Sequence, residues 1–300
     1  MRTLAILAAL LVAAPCASAV EVSIVLSDDG PAYVEAAQAV ESRLSALAKV
    51  QRVPVEGLDR PGRAPAAVVT LGARAFQAAL ASAQRVQIVA ALIPRAAYEQ
   101  ELKRASRSAN APPTAVFLDQ PLGRQLDLVR IVLPSPKRIG LLVSPATEKL
   151  VRPMESAARL RGLVIVHESV ADPSRISPSL VHVLEGSDVL LALPDPSIYN
   201  AGTIHNILLT SLRMRRPLIG FSEAYVRAGA LAAVYSRPQQ AGRQAAEIVA
   251  RTIGGAALPP PQDPQAFAVR VNHVLAQSLG LAIPAEEVIH EMLQRMERER

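Results

Sequence analysis

Residues Ser187 to Asn200 read SDVLLALPDPSIYN. The apolar run Val189 to Leu193 shows no polar alternation, which is the pattern of a strand covered on both faces in a parallel sheet. An antiparallel strand with one wet face would alternate instead. The run stops at Pro194-Asp195-Pro196, where two prolines fix φ on either side of one acid. Ser197, Tyr199 and Asn200 follow, just ahead of a helical pattern, so polar groups gather where the strand ends.

The same rhythm continues in both directions along the chain. Upstream, Val20 to Leu26 is expected to be a strand. Tyr33 to Val50 is expected to be a helix with Val34, Ala37, Val40, Leu44 and Leu47 on one face. Short strands are expected near Val53–Val55, at Val68–Leu71, Val86–Ile93 and Thr114–Leu118, separated by helices around Phe76 and Tyr98. The alternation resumes with helix Leu122–Leu133, strand Arg138–Val143, helix Thr147–Arg161, strand Leu163–His167 and helix Ser177–Leu184. Beyond the opening strand come helix Thr203–Met214 and strands Pro217–Phe221 and Leu231–Tyr235. Helix Ala241–Ile253, strand Phe267–Val271 and a last helix with Pro284 in its first turn complete the series. Strands alternating with helices mean βαβ units and parallel sheets, here in two sets of similar length with a border at Asn110-Ala111-Pro112-Pro113. The expected fold class is α/β, two doubly wound parallel-sheet lobes.

Composition narrows the functional classes. Half of the 300 residues are apolar, enough for two cores. Met1-Arg2, the apolar Leu4–Ala14 and the small-residue site Ala17-Ser18-Ala19 read as a secretory signal over residues 1–19. Cleavage there would remove Cys16, the one cysteine, and with it any disulfide or thiol chemistry. A lipid anchor on Cys16 would need a small residue before it, and Pro15 fits poorly. The five histidines are scattered without ligand spacing, so no metal and no cofactor is expected. The formal charge of +6 is spread along the chain, and aromatic residues make up only 3%, with no tryptophan. That composition excludes a stacking platform, and no nucleic-acid partner is expected.

In open parallel sheets ligands bind outside the carboxyl ends of the strands. Those ends carry Ser27, Asp28 and Asp29; Thr70 and Gly72; Asp119 and Gln120; Ser144 and Thr147; Asp195, Tyr199 and Asn200; and Ser222 and Glu223. Each could be a helix cap, since Ser, Thr and Asp are the preferred capping residues. Together they would line a shared polar cleft.

Four stretches in order, AVFLDQPLGRQLDLVRIVLPSPKRIGLLVSP from Ala115, then SDVLLALPDPSIYN, RRPLIGFSEAYVRAGALAAVYS and VNHVLAQSLGL, resemble the substrate-binding proteins of ABC transporters. The resemblance is to the type I periplasmic-binding-protein fold, and more narrowly to the branch that includes tryptophan and aromatic amino-acid binders. It implies two lobes joined by a three-crossover hinge, with crossings near Leu118–Gln120, Tyr235–Arg237 and Ala266–Ala268. The lobes would be 20–117 with 236–266, and 118–235 with 267–300. It further implies a periplasmic monomer that is not an enzyme and that hands a small-molecule ligand to a membrane permease. On this reading Asp195 receives a ligand ammonium group, with Asp119 or Glu223 as alternatives. Ser144, Thr147 and Ser222 offer donors to a carboxylate, and Tyr33, Tyr199 and Tyr225 pack on a side chain. Asp195→Ala would then abolish binding and leave the fold nearly intact, whereas a mere cap would cost about 1 kcal/mol of stability. The first loop, Ser27 to Tyr33, is short and acidic, unlike the His-rich or Gln-rich opening of the aromatic amino-acid binders. A cationic or polyhydroxyl ligand therefore stays open.

Two other classes compete. A periplasmic sensor reporting to a membrane partner would use the same cleft. A secreted serine hydrolase would use Gly220-Phe221-Ser222-Glu223-Ala224, one residue short of a nucleophile elbow, with Asp263 and His273 following in hydrolase order.

Overall fold

The first strand, β1 (Glu21–Leu26), is buried through its centre and pairs in parallel with a neighbour on each side. The computed structural model describes residues 20–58, 64–82, 86–105 and 112–299. The expected signal segment and the Asn110-Ala111 part of the expected border lie outside the described residues. After β1 come α1 (Pro31–Leu44), β2 (Lys49–Arg52), β3 (Ala67–Leu71), α2 (Ala73–Ala81), β4 (Gln87–Ile93), α3 (Arg95–Arg104) and β5 (Thr114–Phe117). Helix α1 is shorter than its apolar periodicity suggests. Lys49 and Val50, expected inside or at the end of the helix, are drawn into the sheet by pairing with Glu21 and Val22, and Val55 lies in a 3-10 turn instead of a strand.

The five strands form one parallel sheet in the order β2-β1-β3-β4-β5. One face is closed by Phe76 and Tyr98, from α2 and α3, whose rings stack at 4.8 Å. The other is covered by α1 and by a helix from much later in the chain, with Ala241, Ala245 and Ile248 in the shared core.

The second set runs α4 (Leu122–Val132), β6 (Arg138–Val143), α5 (Val151–Arg159), β7 (Val164–Ser169), α6 (Ile176–Glu185), β8 (Val189–Leu191), α7 (Ile204–Arg213) and β9 (Leu218–Gly220). It continues with α8 (Glu223–Ala228), β10 (Ala232–Tyr235), α9 (Pro238–Ile253), β11 (Ala268–Val271), α10 (His273–Ser278) and α11 (Glu286–Arg298). Its sheet order is β11-β10-β9-β8-β6-β7, parallel except for β11, which pairs antiparallel with β10. The β8 strand is fully buried, as an apolar run without alternation requires. The six-residue helices α8 and α10 go unseen in the sequence because neither is long enough to show a period. Pro284 lies just outside α11, whose first residue is Glu286. Ile289 and Leu293 of α11 are buried in this lobe's own core.

The chain passes between the sheets three times. It leaves the first after β5 and returns after β10, where α9 lies against α1. Gly242 permits that contact, because a Cβ there would stand 2.4 Å from the Ala36 carbonyl oxygen. Gln262 then bridges to Val116 beside β5, and the chain crosses again to β11. No described helix is long and apolar enough to cross a membrane.

Candidate functional site

A cavity of about 440 Å³ opens between the two lobes. From the first lobe it is lined by one stripe of α3: Ala96, Glu99, Gln100 and Lys103. From the second it is lined by the loops that end β6, β7 and β8, with Ser144 to Ala146, Lys149, Val170 and Ser197 among them. The Lys149 ammonium forms an ion pair with the Glu99 carboxylate across the cleft. Loss of hydration, and then the nearby Arg95 cation, hold the Lys149 pKa below its ordinary value. Arg95 itself lies over the Phe117 ring at 4.1 Å and pairs with Asp263.

Among the residues expected at the site, Ser144 lines this cavity; the others are placed differently. Strand order reverses between β6 and β8, so the loops after these strands diverge and leave a crevice. Asp195 bridges it. Its Oδ2 accepts from the Ser144 N–H (3.1 Å) and the Thr147 hydroxyl (2.6 Å), and its Oδ1 accepts from the Ser197 N–H (3.0 Å). Asp195 is 2% exposed. Oδ2 thereby ties the loop after β8 to the loop after β6, and Oδ1 closes a turn within its own loop. Thr147 is buried in the same knot. Tyr199 is enclosed below it, and burial pushes its hydroxyl pKa up. Asn200 closes the local turn by accepting from Gly202 N–H and donating to the Pro196 carbonyl.

The first sheet reverses between β1 and β3, where Ser27, Tyr33 and Gly72 meet. The Ser27 hydroxyl accepts from the Ala75 N–H (3.1 Å), at the start of α2. Gly72 has φ +91°, and a Cβ there would fall 2.5 Å from Ser27 Oγ and 2.8 Å from the Tyr33 hydroxyl. Burial, then the Asp28 charge, raise the Tyr33 pKa against the pull of a Ser27 hydrogen bond. Asp28 accepts from Gly30 N–H in a tight turn, and Asp29 is exposed beside it. Thr70 is fully enclosed in β3 and presents nothing to the cleft, because alternation turns its side chain into the core.

Asp119 and Gln120 stand in the first crossover. Gln120 donates to Ser236 Oγ (3.0 Å) and accepts from Arg124 (2.8 Å), while Ser236 donates to the Ala266 carbonyl (2.7 Å). The three passes of chain are thereby bonded to one another through Gln120, Ser236 and Arg124. Asp119, 9% exposed, accepts from the Arg95 N–H (2.7 Å). Burial nevertheless pushes its pKa to about 6. A raised carboxyl pKa means that the fold favours the neutral form. Its contribution is complete below the unfolded value of 3.8 and is lost as pH rises through about 6. Asp119→Asn, which cannot ionise, is therefore expected to flatten this part of the pH dependence. It should be the more stable protein at pH 7.5, by on the order of 2 kcal/mol. Urea titrations of parent and variant at pH 4.5 and 7.5 check this; parallel pH profiles would refute it.

Ser222 precedes α8, and Glu223 pairs with Arg227 one turn on. Tyr225 packs on Phe221 with ring centroids 4.4 Å apart and donates to the Tyr199 carbonyl (3.2 Å); burial moves its pKa to about 12. The hydrolase set is not assembled. Ser222 follows the carboxyl end of β9. His273 follows β11, whose antiparallel pairing carries it to the opposite, amino-terminal edge of the sheet. The pairing of Asp263 with Arg95 holds it at the first lobe.

Sequence reasoning missed Glu99 and Lys149. Their signal was weak: Glu99 sits in RAAYEQELKR, which reads as an ordinary charged helix face.

Two parallel-sheet lobes, three connecting passes and a cleft lined from both sides define a two-lobed binding protein. A family model described as ABC transporter substrate binding protein matches residues 103–294, and the chain belongs to that family. Solved structures share the fold at low identity. A conserved domain protein from Vibrio cholerae has a TM-score of 0.63 at 20% identity, covering 91% of this chain and 98% of that one. An ABC domain in complex with L-Trp from Streptococcus pneumoniae has 0.64 at 17%, covering 90% and 98%. A ligand-free, open substrate-binding protein with adhesive properties from Clostridium difficile has 0.67 at 15%, covering 89% and 97%. A search of curated proteins finds none whose sequence matches.

Proposed function

We propose that this chain is the periplasmic solute-capturing component of an ABC uptake system. It is exported by the signal segment 1–19 and acts as a monomer. The lobes 20–117 with 236–266 and 118–235 with 267–300 close on an amino acid or related small polar molecule, which is released unchanged to the permease. The observation that carries this reading is the interlobe cavity, which presents charge from both lobes beside apolar surface from Ala96, Pro145 and Val170. A site divided between two bodies gains its full set of contacts only when they close. The L-Trp complex of the Streptococcus protein lends the amino-acid reading support by analogy of fold.

A ligand at a hundredfold over its Kd stabilises the native form by about 2.7 kcal/mol. For a unit of this size that is a rise in melting temperature of roughly 5 to 10 °C. Calorimetric scans with amino acids, then nucleosides and sugars, followed by small-angle scattering, are expected to find a class that raises the melting temperature, shrinks the radius of gyration and is recovered intact. A consumed hit, or a hit without compaction, would overturn the proposal.

A further inference from the structure

Glu99 and Lys149 come from different lobes and are the charged pair that closes the cavity. Resting on the reading of the cleft as a capture site, we propose that this ion pair is a placeholder for a zwitterionic α-amino acid. The ligand ammonium takes the Glu99 carboxylate, and the ligand carboxylate takes the Lys149 ammonium.

Three observations carry this. The pair is accessible, with side-chain exposures of 36% for Glu99 and 43% for Lys149, and pairs so exposed hold little net energy, so opening it costs little. Both side chains are long and rotatable, so the pair can part by rotamer changes to admit a small molecule before the lobes close on it. An inserted zwitterion replaces one ion pair by two, each from a different lobe, so the gain appears only when the lobes are held together by the ligand.

The surrounding charge selects among ligand classes. Lys103 lies one helical turn beyond Glu99 on the same stripe and has no ion pair among the described residues. Lys149 is already partly desolvated beside Arg95, which makes an incoming carboxylate more favourable still. Cations therefore outnumber acids at the cavity wall. A polyamine would be repelled, and a neutral sugar would gain no charge-assisted contact from either member of the pair. The apolar wall of Ala96, Pro145 and Val170 faces the ligand side chain and contains no aromatic ring. That wall accommodates an aliphatic side chain, and two lysines against one glutamate disfavour a cationic one.

The test is titration calorimetry on the secreted chain with the protein L-amino acids in turn, and with ribose and glycerol as uncharged probes. The tightest amino acid is then compared with its carboxamide and its N-acetyl derivative. At least one amino acid should bind, and each derivative should bind roughly tenfold or more weakly, because each lacks one charge-assisted contact. Glu99→Gln should weaken the amino acid by a similar factor and leave the N-acetyl derivative unchanged. Lys149→Met should weaken the amino acid and leave the carboxamide unchanged. Both positions are solvent-accessible, so melting temperatures of the unliganded variants should match the parent. An amino acid bound equally by parent and both variants would overturn the placeholder role and leave solute capture standing. Binding of ribose or glycerol alone would overturn the zwitterion and again leave capture standing. No binding and no compaction with any probe would overturn both.

Discussion

Asp195→Ala is expected to melt roughly 6 to 12 °C below the parent protein, with a loss of about 3 kcal/mol. The carboxylate accepts three hydrogen bonds inside a nearly closed environment, from Ser144 N–H, the Thr147 hydroxyl and Ser197 N–H. Alanine leaves those donors facing a void, and each buried unsatisfied donor costs about 1 to 3 kcal/mol. The loss is not the sum of three, because the Thr147 hydroxyl and the Ser144 N–H also bond within their own loop. Asp195→Asn keeps a carbonyl acceptor and should lose about a third as much. Affinity for a cleft ligand, measured well below the melting temperature, should change far less than stability. The opposite result, an unchanged melting temperature with lost binding, would return Asp195 to the role of ligand acceptor.

Arg124→Met is expected to destabilise by about 3 to 4 kcal/mol and to loosen the joint between the lobes. Arg124 is 4% exposed and donates in bidentate fashion to Glu297 at 2.6 and 3.0 Å. It also donates to Gln120 Oε1 and to the Pro264 carbonyl, with its guanidinium 4.1 Å from the Phe267 ring centroid. One side chain thus binds the first and third passes between lobes to the C-terminal helix. Methionine fills the volume and satisfies none of these acceptors. Glu297 is one-third exposed and can recover water, which keeps the loss at the lower end of the range for a broken buried pair. Lysine retains the charge but cannot reproduce the planar fork, so Arg124→Lys should fall between parent and methionine. Guanidinium unfolding measures the stability, and the radius of gyration of the unliganded variants reports the joint. A loss below about 1 kcal/mol for Arg124→Met would show that the passes hold together without it.

Much of the scaffold was legible because its causes are local. An apolar run such as Val189 to Leu193, too short for a helix and closed by proline, reads as a strand covered on both faces. The recurrence of such runs between helical stretches names an α/β architecture before any contact is known. The ends of elements were less legible. Lys49 and Val50 continue a helical pattern, and only their pairing with β1 turns them into a strand. The polar residues at the strand ends were legible as a group but not by role. A capping or loop-tying acid and a ligand-binding acid are the same residue in the same place along the chain.

The sequence by itself determined the class of fold, the family resemblance and the polar character of the strand ends, because each follows from order and spacing along the chain. Tertiary structure decided which of those polar groups remain available. Two of the three donors to Asp195 arrive from the loop after β6, a neighbour in the sheet but distant in the chain. Glu99 and Lys149 meet only because α3 of one lobe is carried opposite the β6 loop of the other. Hydrogen bonds and ion pairs are satisfied in space, by whichever partner the returning chain brings within reach.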